Sequence, residues 1–376
     1  MRDLPRMRLF FMVMAGMTLY SASAWAYKVG DFEIKPLGSI SEGYDDNMTS
    51  VKSGKISDLF TDITGGVNVS AEGKEQSLSL SGALSRKFFN SKHRYDYTSE
   101  NIDLDYKHDL SQFGRIHAVD SFIHSEDPGS LADAFGRATG RFQYFLNRFD
   151  LDYTHEFSSQ SSLTVGYANE AYNPSGSDQA SSMLNSISLK KDYSLSSADI
   201  VSGVYSFSQR TFDPGGHIDS NTFDLGLRHF LTKQLYLDLL PGIGYVSDGK
   251  SFLSARYEAS ITNNVSEKTS AKLSFVDRSE SNYSTDDIFS YWRVSFDIMH
   301  EIRERLGVVI GLFYGDGRYH AADTRDKFNG VNARLNYEIS KDVTGFISLT
   351  RTQTVSNIET NDYIRDVTML GFQIKF

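Results

Sequence analysis

The chain has 376 residues, a formal net charge of −10 at pH 7, 13% aromatic residues and no cysteine. The acidic balance argues against nucleic-acid partners, and the lack of Cys excludes a disulfide framework and a thiolate zinc centre. Beyond the first 26 residues no segment is a continuous apolar helix, so a membrane crossing would have to be a closed barrel.

The first 26 residues read as an export leader. Arg2, Arg6 and Arg8 make a basic start, residues 9–19 an apolar core, and Ala24-Trp25-Ala26 a small-x-small cleavage site. The apolar core is well short of the roughly 20 residues of a spanning helix, which disfavours a membrane anchor. The signal peptide is then 1–26 and the mature domain 27–376, expected to be exported across the inner membrane.

The mature chain opens with Phe32-Glu33-Ile34-Lys35-Pro36-Leu37, then Gly43-Tyr44-Asp45-Asp46-Asn47, a polar loop and Gly65-Gly66-Val67-Asn68-Val69. Asp45, Asp46 and Asn47 suit a tight turn, because such side chains hydrogen-bond the nearby backbone. Three adjacent oxygen-bearing side chains also offer weak ligands to a hard cation. A proline, a short strand and Tyr-Asp-Asp-Asn in that order resemble the opening of the outer-membrane β-barrel porins encoded in exopolysaccharide and capsule operons. The resemblance implies a conduit that passes a nascent polysaccharide outward, with the polymer and periplasmic export proteins as partners.

From there apolar and polar residues alternate with period two, most plainly over 77–85, 101–107 and 332–339. In a barrel the apolar face meets lipid and the polar face lines a wet lumen. Connections alternate between two kinds. Short turns fall at 72–75, 111–114, 158–161, 196–199, 232–234, 265–268, 303–305 and 340–342. Mostly longer polar loops fall near 45–57, 90–96, 127–140, 173–181, 213–220, 248–251, 281–286, 316–327 and 355–362. The layout predicts an all-β, up-and-down antiparallel transmembrane barrel of about 18 strands (16–18), each of roughly 10–14 residues, with short periplasmic turns and longer extracellular loops.

The loop at 127–140 has an apolar centre, which an exposed loop has little reason to hold. Leu131, Asp133, Phe135 and Arg137 are therefore candidates for a constriction folded into the barrel mouth, by analogy with general porins. A surface loop with a short helical cap is the alternative. The last strand points Thr368, Leu370, Phe372, Ile374 and Phe376 outward. Phe372, Ile374 and the terminal Phe376 resemble the signal read by the barrel-assembly machinery.

Face by face, the alternation turns Arg148, Arg228, Arg256, Arg293 and Arg334 inward, with Asp103, Asp105, Asp224, Asp297 and Glu338. Arginine offers planar donors to hydroxyls or carboxylates, although pairing along neighbouring strands would serve merely to keep the interior wet. Most aromatics near strand ends, among them Phe89, Tyr97, Tyr144, Tyr172, Tyr291 and Tyr319, read as interfacial girdles. Only Phe230 and Phe313 read as inward rings.

No cofactor is expected, and no local His spacing suggests a metal site. His124-Ser125-Glu126-Asp127 comes nearest to a nucleophile arrangement without forming a recognisable one. The expectation is a passive channel rather than an enzyme: an exopolysaccharide conduit first, a general or small-solute diffusion porin second, a rim-site hydrolase third. Its other expected partners are outer-membrane lipid and lipopolysaccharide.

Overall fold

A computed structural model of the protein describes residues 27–127, 141–176, 179–248, 251–282 and 286–375. The leader, the candidate constriction residues Leu131, Asp133, Phe135 and Arg137, and the terminal Phe376 lie outside the described residues.

Eighteen strands, from β2 (Phe32–Asp45) to β19 (Tyr363–Lys375), pair antiparallel in sequence order, and β19 pairs with β2 to close the wall. A three-residue strand, β1 (Tyr27–Val29), adds to β2 beside that closure, with Val29 opposite Phe32. The eight short turns lie where the alternation breaks. In several the backbone closes on itself, as in Gly73 N–H to Gln76 O at 2.7 Å.

Barrel strands run from 12 residues in β6 (Gly114–Ser125) to 16 in β7 (Gln143–Ser158), longer than the alternation suggests. Two loops shrink accordingly. The β10 strand (Asp199–Asp213) nearly meets β11 (His217–Phe230), and β16 (Leu306–Tyr319) pairs with β17 (Thr324–Glu338) up to Tyr319↔Thr324. The extra length continues the hydrogen-bonded ladder past the lipid band, where an outer face needs no apolar residue.

Following pairs from Ile40 to Ile63, Arg86 and Thr98, the path climbs from mid-strand to the loop end. Such stagger goes with a strand tilt of roughly 40°. The outer face carries exposed apolar side chains between two aromatic belts. Tyr44, Phe88, Phe145 and Tyr245 mark the loop side, and Phe113, Phe157, Tyr193 and Tyr337 the turn side. On β7, Phe145 and Phe157 mark both edges, roughly 30 Å apart along the barrel axis at that tilt, a girdle-to-girdle span suited to an outer membrane.

The inner face corrects the aromatic assignment. Phe89, Tyr97, Tyr144, Tyr172, Tyr291 and Tyr319 are buried, and their register places them inside rather than in a girdle. They belong to four apolar clusters spaced around the loop end. Met48, Phe60, Phe89 and Tyr97 form one; Tyr144, Leu146 and Tyr172 a second. Phe212, Ile218, Val246 and Ile288 form the third; Phe289, Tyr291, Tyr319 and Phe328 the fourth. Adjacent residues of a strand face opposite ways, so Phe88 joins the outer belt while Phe89 joins this collar. Inner-face glycines make room for the rings: a Cβ on Gly317 would strike the Phe289 ring, and one on Gly315 the Phe328 ring.

The collar is tightened by one hairpin. The upper half of β13 (Ser251–Ser266) stays paired with β12 (Leu235–Ser247), but its pairing with β14 (Thr269–Ser281) stops at Tyr257↔Asp277. From Arg278 upward β14 pairs only with β15 (Ile288–Arg303), and the two lean into the lumen. Arg210 of β10 donates from Nε to Ser281 Oγ at 3.0 Å, and Ile288 packs on Phe212, Ile218 and Val246. The carboxyl of Asp286 reaches Gly216 of the β10–β11 loop. Burial raises the pKa of that carboxyl above the ordinary carboxylate value, and Asp248 and Asp287 add to the rise. Asp287 accepts the N–H groups of Ile288, Ala321 and Ala322, fastening the hairpin to the next loop.

Candidate functional site in the lumen

Two charged constellations stand on the inner face. The first locks the seam. Arg365 of β19 donates to Asp45 of β2 (Nη2 to Oδ2, 2.7 Å) and to Asp127 beyond β6 (Nη1 to Oδ1, 2.8 Å), with all three groups largely buried. Lys87 lies 3.7 Å from Asp127 and 4.6 Å from the centre of the Phe60 ring. Asn47 N–H donates to Asp45 Oδ1, Asn47 Nδ2 to Ile364 O, and Asp366 N–H to Asp46 Oδ1. The Asp45-Asp46-Asn47 segment thus ties the first barrel strand to the last. A buried charge pair of this kind holds only while every member is present.

The second constellation surrounds a cavity of about 610 Å³ between the tucked hairpin and the β7–β11 wall. Glu170, on β8 (Ser161–Ser175), accepts from Arg148 at 2.6 Å and from Arg210 at 2.7 Å. Arg256 donates from Nε to Asp224 at 3.1 Å. Arg278 reaches Glu258 at 3.0 Å and Glu280 at 2.8 Å. Between these groups runs a hydroxyl row across three strands. Ser186 of β9 (Ser181–Ser194) lies opposite Ser208, and Ser208 opposite Ser220.

The register puts every arginine and acid singled out from the sequence on this inner face, but they do not converge. Arg148, Arg256, Asp224 and Arg293 reach the cavity, with Arg293 lying 4.3 Å from the centre of the Phe313 ring. Arg228 instead pairs with Asp238 near the turn end and stacks on Tyr236. Arg334, on β17, lies over Phe346 of β18 (Val343–Ser356) at 3.9 Å and donates to Asn336. Asp105 pairs with Lys107 and Asp103 accepts from Ser121. Asp297 lies opposite Lys272, and Glu338 ends β17 at the turn side. Opposite charges therefore pair largely along the wall.

Arg210, Glu170, Arg278 and Arg365 were missed. Extending the parity of Lys272 and Ser274 to Val276 and Arg278 reaches the third, and extending the last strand back from Thr368 reaches Arg365. The stretch from His124 to Asp127 is split by the same parity. His124 faces outward, stacked on Phe145, whereas Ser125 is buried on the inner side.

The comparisons agree with this geometry. A family model described as "Putative beta-barrel porin 2" matches residues 253–376, from β13 to the end of the chain. Over that last third the chain is similar to the family, and the whole chain is a closed antiparallel β-barrel of 18 strands among the described residues. No curated protein matches it. Among solved structures, a BenF-like porin from Pseudomonas fluorescens Pf-5 aligns over 93% of this chain and 100% of its own, with TM-score 0.53 and 10% identity. OccK2 from Pseudomonas aeruginosa aligns over 93% and 98%, with TM-score 0.50 and 8% identity. The siderophore receptor PirA from Pseudomonas aeruginosa aligns over 91% and 80%, with TM-score 0.50 and 7% identity. At such identity the likeness is one of fold: a closed antiparallel β-barrel.

Proposed function

We propose that the protein is an outer-membrane channel for the passive diffusion of small hydrophilic solutes. The observation that carries the reading is the division of its two faces. An apolar band between aromatic belts covers the outside, while charged and hydroxyl side chains line a cavity inside. Water-filled barrels divide their faces in this way. In the cell the short turns face the periplasm and the loops the exterior, after removal of the leader. Lipid and lipopolysaccharide surround the belt, and Phe372, Ile374 and Phe376 present the last strand to the assembly machinery.

A polysaccharide conduit is the second reading, favoured by the opening motif. The collar weighs against it, because Tyr144, Tyr172 and Phe289 are 0–1% exposed and offer no face for a sugar to stack on. Conductance of the refolded barrel in planar bilayers tests both readings. Steady ohmic openings that small neutral sugars traverse in vesicle-swelling assays support diffusion. Openings blocked only by a long anionic polysaccharide support export, and a barrel that inserts without conducting contradicts both.

A further inference from the structure

The two arginines that bracket the hydroxyl row use only part of their hydrogen-bonding capacity on the protein. Arg148 and Arg256 each donate from Nε, to Glu170 and Asp224, and among the described residues their Nη groups meet no acceptor. The hydroxyls of Ser186, Ser208 and Ser220 likewise carry no hydrogen bond to a described residue, although all three line the same cavity. The acids there are already engaged: Glu170 by two arginines, Asp224 by Arg256, and Glu280 by Arg278 and Tyr291. What remains for a solute is a set of guanidinium donors flanking a row of hydroxyls, in a chain whose overall charge is −10.

Resting on the channel reading, we infer that this cavity binds hydroxylated carboxylates of one or two sugar units, such as uronic acids, and favours them over neutral sugars. A carboxylate accepts two parallel N–H groups from one guanidinium, which the Nη atoms of Arg148 or Arg256 supply. A serine hydroxyl both donates and accepts, matching sugar hydroxyls whichever way they point. Three strands about 4.8 Å apart make the row about 10 Å wide, the length of a mono- or disaccharide. A cavity of about 610 Å³ holds a solute of that size. An inorganic anion would use the arginines but leave the serine row idle.

The test is current block in planar bilayers, with glucuronate, glucose and chloride as probes. The inference expects glucuronate to interrupt the chloride current at concentrations where glucose does not. Arg148→Gln is the informative variant, since Glu170 keeps Arg210 and the wall stays paired. It raises the half-blocking glucuronate concentration about tenfold, the loss expected for one charge-assisted contact. Ser208→Ala weakens glucuronate block by a smaller factor than Arg148→Gln. Equal block by glucuronate and glucose, or block that neither variant alters, overturns the inference while leaving a working channel. A wild-type barrel with no conductance would instead overturn the channel reading itself.

Discussion

The two ends of the barrel use the same alternation and treat their inner faces differently. At the loop end Tyr144, Phe289 and Tyr319 are 0–1% exposed, packed in a collar around the mouth. At the turn end the side chains of Lys190 and Arg228 keep 48% and 46% of their surface exposed although both point inward. Strands that outrun the lipid band need not expose a wet inner wall at their ends. There the loops fold back and the inner face becomes a small hydrophobic core. Stability should therefore concentrate in the collar and conduction properties in the wall beneath it.

Replacing Arg365 by Ala gives the largest expected effect. It leaves Asp45 and Asp127 without their buried cation, which costs about 3–5 kcal/mol, read as urea unfolding of the refolded barrel. A loss below 1 kcal/mol would show the seam to be held by backbone pairing alone. Phe289→Ala in the fourth cluster should cost about 3 kcal/mol by the same assay. Gly317→Ala, which drives a Cβ into that ring, should cost about 1–2 kcal/mol, whereas Gly307→Ala near the turn end should be close to neutral. At the other extreme, Lys190→Ala removes an open pair with Asp192 and should change stability by no more than about 0.5 kcal/mol, while altering ion selectivity measured by reversal potential. A turn-end variant as damaging as Phe289→Ala would break the contrast.

Much of this was legible in the sequence. Period-two runs and eight short turns gave the barrel and its strand count, and parity placed Arg148, Arg228, Arg256, Arg293 and Arg334 on one face. Length was harder to read, because residues 316–327, with three Asp and two Arg, look like a loop. Yet Asp316↔Lys327 and Gly317↔Asp326 remain paired, since a ladder above the lipid needs no apolar partner. The collar was misread because an aromatic near a strand end serves a girdle or a plug according to parity alone. The lean of the β14–β15 hairpin had no local signal. It depends on where pairing to β13 stops and on contacts such as Arg210 to Ser281, 71 residues apart. The role of Asp45 was also hidden, for its partner Arg365 lies 320 positions away.

Sided polymer exclusion distinguishes a channel narrowed at the loop end and open at the turn end from one of even bore. Neutral poly(ethylene glycol)s of graded size are added to one side of a single inserted barrel at a time, and conductance is recorded. Polymers added at the turn end are expected to enter and depress conductance up to a larger size than those added at the loop end. Equal cut-offs from the two sides, or a larger one from the loop end, would contradict that narrowing.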